Sequence, residues 1–109
     1  MAFSEKLAER IRKQLESETG IVEKKMFGGL AFMVNGNMGC GVVGEDLMVR
    51  VGPDAYADAL AEPDAREMDF TGRPMKGMIY VTADGIRTSK RLALWIQKGL
   101  NFAKSLPVK

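Results

Sequence analysis

Residues 24–43, KKMFGGLAFMVNGNMGCGVV, constrain the fold more than any other stretch of this chain. They hold six kinds of apolar residue, five of the twelve glycines and the pair Asn35-Gly36. Asn and Gly both tolerate positive φ, so the pair favours the tight type I′ turn that joins antiparallel strands. The apolar runs on either side are too short for helices. Residues 30–34 and 37–43 are therefore expected to form a hairpin. Residues 21–27 precede it as a short mixed strand, broken or bulged at Gly28-Gly29. Gly44-Glu45-Asp46 makes the next turn and residues 47–51 the next strand, completing an antiparallel meander.

Helices flank this block. Phe3, Leu7, Ile11 and Leu15 recur every four residues, one apolar stripe at helical period. Ser4 suits the N-cap and Glu5 the first turn. Gly20 suits the left-handed position that closes the segment. Gly52-Pro53 opens a second helix, with Pro53 at its first position and Tyr56, Ala57 and Leu60 as its apolar face. Residues 65–70 read as a strand with Met68 and Phe70 on one face, residues 77–82 as another, and Asp84-Gly85 as a turn. The last helix is the most clearly patterned: Leu92, Trp95, Ile96, Gly99, Phe102, Ala103 and Leu106 share one wide face. Ser89 is its expected cap and Pro107 its stop. The order is helix, three or four strands, helix, two strands, helix. Segregation of this kind predicts one two-layer α+β domain over residues 1–109, an antiparallel sheet with its helices on one face.

Little in the chain points to chemistry. It has no histidine and one cysteine, Cys40. With no base to activate it and no second thiol to resolve it, Cys40 reads as a small buried hydrophobe. The glycines lead into strands, unlike a phosphate-binding loop, which leads into a helix. No catalytic residue, cofactor or metal is expected, and enzymatic activity is not. No secretory signal or membrane-length apolar run is present, so the expected location is the cytoplasm.

Three features could contact a partner. Gly39 and Gly41 are assigned to one strand face, with Cys40 on the other beside Met38 and Val42. Such a flat face admits another backbone, either a helix of this chain or a partner. Eight methionines suit either core filling or a promiscuous protein-binding surface. Arg87, Lys90 and Arg91 surround Ser89 where the last helix begins. Cations there oppose the helix dipole but sit beside free N–H donors, which suits an anion; Arg73 and Lys76 are candidates to extend that face. The alternative is a solvated charged turn.

Charge is lopsided. Residues 1–70 carry eight Lys/Arg and thirteen Asp/Glu, a net of −5, and residues 71–109 carry eight and one, a net of +7. This is an electrostatic face, open to nucleic acid, if the fold keeps the halves apart; it cancels if the fold interleaves them. Apolar character on both faces of residues 30–34 and 77–81 also raises a homodimer through the sheet or its edge, burying about 1,200–2,000 Å².

The segment Lys25-Met26-Phe27-Gly28-Gly29-Leu30-Ala31-Phe32 is moderately specific. With Asn35-Gly36, Gly41, Met75-Lys76-Gly77-Met78, Leu92, Trp95 and Leu106-Pro107, it resembles the N-terminal domain of the TfoX/Sxy family over roughly residues 3–107. The resemblance implies a secretion-chaperone-like α-β(3)-α-β(2)-α fold and no catalytic residues. It also implies a role like that of bacterial competence regulators, which act alongside a cyclic-AMP-dependent transcription activator, so the partner would be a protein of the transcription machinery. Full-length regulators carry a second, C-terminal domain; this chain is expected to stand alone without it.

Overall fold

A computed structural model describes residues 3–26, 28–67 and 77–107. The first helix, α1 (Glu5–Leu15), starts where the sequence predicts: Ser4 is extended and its hydroxyl accepts from the Leu7 N–H at 3.1 Å. Strands β1 (Ile21–Met26), β2 (Gly29–Val34), β3 (Asn37–Val43) and β4 (Asp46–Arg50) follow. The order implied by the resemblance has three strands here; four are present. Asn35 and Gly36 take φ values of 53° and 85°, the paired positive angles of the type I′ turn.

After β4 come α2 (Tyr56–Leu60), β5 (Ala65–Glu67), β6 (Met78–Val81), a 3-10 helix (Ala83–Ile86) and α3 (Ser89–Ser105). Pro53 does not open α2. It lies in a turn, and the helix begins three residues later behind Ala55. The buried residue of that helix is Ala59, whereas Ala57 is exposed. Ser89 is not the cap of α3. Thr88, one residue earlier, is extended and accepts from the Arg91 N–H at 3.2 Å, which makes Ser89 the first helical residue. Met68 and Phe70 fall outside the described residues.

The strands form one antiparallel sheet in the order β1-β2-β3-β4-β6-β5. The three described α-helices pack on one face. Leu7, Ile11 and Leu15 of α1, Ala59 of α2, and Leu92, Trp95, Ile96 and Leu100 of α3 bury against Phe32, Val34, Val42, Leu47, Val49, Ile79 and Val81. This is the two-layer α+β arrangement the sequence predicts.

The pattern of faces departs from the prediction at one residue. Phe32 pairs with Cys40 but Met33 pairs with Met38, so Gly39 is an extra residue in β3. A bulge of this kind resets strand alternation. Cys40 and Val42 therefore join the helix-side core, while Met38 lies on the far side with Met33, Met48, Met78 and Tyr80. Gly39 and Gly41 do not share a face. A methyl group on Gly39 would meet the Gly99 carbonyl oxygen of α3 at 3.3 Å, whereas one on Gly41 would meet the Met48 methyl at 2.6 Å. Gly39 thus admits a helix of the same chain.

Candidate functional site

Arg10 and Gln14 of α1, and Asp64, reach residues 85–91 where α3 begins. Arg10 of α1 donates from Nη2 to the Ile86 carbonyl at 2.6 Å and to that of Arg87 at 3.4 Å. Gln14 Nε2 lies 3.5 Å from the Ser89 carbonyl. Arg91 donates from Nε to the Gly85 carbonyl at 3.1 Å, and its Nη2 stands 3.8 Å from an Asp64 carboxylate oxygen. Arg87 pairs with Asp84. Of the four residues Arg87, Ser89, Lys90 and Arg91, both arginines are thus engaged with their own chain. Lys90 is exposed and has no ion pair among the described residues.

The sequence did not reveal that α1 adds cations here. Lys6, Arg10 and Arg87 line a cleft of about 320 Å³, together with Ser4, Glu45 and Asp84. Lys6 and Arg10 stand at helical spacing, but only packing shows that they border the 3-10 helix and Arg87. Arg73 and Lys76 lie outside the described residues. The two oppositely charged halves do meet: Arg91 approaches Asp64, and Lys104 binds Glu18 at 2.6 Å. The charge separation along the chain is therefore partly cancelled in space.

The sheet face on which no described helix packs has a different character. Ala31, Met48 and Met78 are buried there, with Met33, Met38, Val43 and Tyr80 partly buried around them. Cross-strand register aligns Val22 with Met33 and Met33 with Met38. Paired residues lie on the same face, so these three form one apolar row across β1, β2 and β3. Val22 is 61% exposed, and both methionines are partly exposed. Val22 carried no signal by itself, because its place in the row depends on the register of β1.

The reactive inventory is limited. Cys40 is fully buried, and burial pushes its thiol up to about 12, which disfavours the nucleophilic thiolate. Tyr56 is also raised, first by burial and then by the nearby Glu67 charge. Among the described residues no group of His, Cys, Asp or Glu is placed to hold a metal, and no helix is long and apolar enough to cross a membrane.

The family model described as the TfoX N-terminal domain matches residues 13–103, nearly the whole chain. The chain belongs to the TfoX N-terminal domain family. No curated protein matches it. The TfoX N-terminal match begins within α1 and ends within α3. It therefore encloses the whole sheet, the bulge at Gly39 and the close approach of Gly39 to Gly99.

Proposed function

We propose that this TfoX N-terminal domain is a non-catalytic protein-interaction module with a regulatory role, acting in the cytoplasm on a partner in the transcription machinery, as in competence regulation. The row Val22–Met33–Met38 carries this reading. It offers an apolar strip on the face the helices leave, and methionine adapts its shape to varied apolar partners. The partner would present an apolar segment to that strip. The burial of Cys40 fits a domain that binds and does not react.

The rival reading is an electrostatic module of the basic C-terminal region, residues 71–109, that binds nucleic acid or takes an anion at Arg87, Ser89, Lys90 and Arg91. Affinity capture from cytoplasm, beside a DNA gel shift at two salt concentrations, separates the two. Phosphate contacts make affinity fall steeply with salt. The proposal expects salt-tolerant capture that is lost in a folded Met33→Lys/Met38→Lys variant. Tight, salt-sensitive DNA binding by the chain alone would overturn it.

A further inference from the structure

The sheet has two edges among the described residues, β5 with three residues and β1 with six. A very short edge strand resists further pairing, whereas a longer one offers unpaired backbone groups to another strand. The direction of those groups in β1 follows from the turn before it. The Asn35 N–H donates to the Gly20 carbonyl at 3.1 Å. Hydrogen-bonded pairs alternate along an antiparallel ladder. Counting by twos from Gly20, the backbone groups of Val22 and Lys24 turn toward β2. Those of Ile21, Glu23 and Lys25 turn outward.

The order of side chains along this edge is complementary to itself. Outward residues must oppose outward residues for a second strand to bond antiparallel. Centred on Lys24, such a pairing sets Glu23 opposite Lys25 of a second copy, twice. Moving the register by two residues in either direction sets Glu23 against Glu23 or Lys25 against Lys25. Opposite charges across a strand pair stabilise it and like charges oppose it. Glu23 pairs with Phe32 and Lys25 with Leu30, so the favourable charge pairs lie on the helix-bearing face. Glu23 already accepts from Arg12 of α1 there at 2.8 Å, and with 38% of its side chain exposed it can take Lys25 of the second copy as an added partner. Val22, 61% exposed, lies on the other face and comes under the second strand. The two Lys24 side chains meet on that face at the axis; a shift of two residues would relieve that repulsion but would exchange both Glu23–Lys25 pairs for a like-charge pair.

We propose that two copies of this chain pair antiparallel through β1, centred on Lys24, and make one continuous sheet. A six-residue edge buries well under the ~1,600 Å² of a standard interface, so the dimer is weak and depends on concentration. This inference stands apart from the partner reading, because every readout below uses the chain alone.

Sedimentation velocity from about 1 μM to about 1 mM spans the range for such an affinity. The expected result is a mass rising from one chain toward two; one chain throughout overturns the proposal. Lys25→Pro removes an outward N–H and spares the bonds to β2, the one situation in which an edge strand accepts proline. It should keep its circular dichroism and remain a single chain, and a dimer that survives it overturns the edge assignment. If that variant fails to fold, Lys24→Glu decides. Mixed with the wild type, it sets opposite charges on the axis. The mixture should associate about threefold to tenfold more tightly than the wild type alone. Equal or weaker association overturns the register.

Discussion

Gly99 lies in the middle of α3, where general helix propensity favours alanine by about 1 kcal/mol. The structure predicts the reverse outcome for Gly99→Ala. A methyl group there would sit 2.3 Å from the Gly39 carbonyl oxygen and 3.0 Å from its carbon, with Val49 Cγ1 at 3.4 Å. The obstacle is main chain of a central strand and cannot rotate aside. To restore ordinary contact, α3 must retreat by about 1 Å. That retreat loosens Leu92, Trp95, Ile96, Leu100 and Ala103, all buried beneath the same helix. Overpacking of a close-packed core costs about 1–3 kcal/mol, and rigid backbone places this case near the top of that range. After the propensity gain, the net expectation is a loss of about 2 kcal/mol. Urea unfolding followed by circular dichroism measures it, with an unchanged denaturant slope showing that only stability moved. Gly39→Ala should cost less, because its methyl group would approach Gly99 only to 3.3 Å. A neutral or stabilised Gly99→Ala would refute the claim that α3 lies directly on the backbone of β3.

Three further outcomes follow from side-chain positions. Thr88→Ala should lose about 1 kcal/mol and Ser89→Ala much less, since the hydroxyl of Thr88 caps α3; the opposite ranking in thermal or urea unfolding would return the cap to Ser89. Cys40 should resist a thiol-alkylating reagent in the native chain and react fully in denaturant; rapid native labelling would place it outside the core. Glu23 is held below its ordinary value of 4.5 chiefly by hydrogen bonding to Arg12, so its contribution exists above the unfolded value and is lost as pH falls through the folded one. Because 34% and 38% of the two side chains is exposed, Glu23→Gln should cost under about 1 kcal/mol at pH 7. The difference from wild type should shrink as pH drops below 4.5 and through the lower folded value, and one that grows in acid would be inconsistent with this pair.

What the sequence reveals is what local chemistry decides. Asn35-Gly36 sets the hairpin without help from the rest of the chain, and with it the pairing of Val34 with Asn37. Ser4 and the stripe Leu7–Ile11–Leu15 likewise define α1. Strand faces beyond the turn depart from simple alternation because Gly39 bulges. One extra residue reverses the parity that assigned Gly39 and Gly41 to one side, and nothing in the residue types shows which glycine is the extra one. Thr88 and Ser89 are both good caps, so the choice rests on where the 3-10 helix delivers the chain. The candidate sites were less legible still. Arg91 reaching Gly85 and Asp64, and Arg10 reaching Ile86, are tertiary contacts between segments distant in sequence. The row Val22–Met33–Met38 needs the register of three strands at once.

The claim that this family member binds protein through its helix-free sheet face is tested most directly by hydrogen–deuterium exchange. The chain is measured alone and with the protein it captures from cytoplasm, at a concentration where the chain alone is monomeric. The account predicts new protection across β1, β2 and β3, centred on the strands that carry Val22, Met33 and Met38, and unchanged exchange at residues 87–91. Protection confined to residues 87–91, with the strands unaffected, would contradict it.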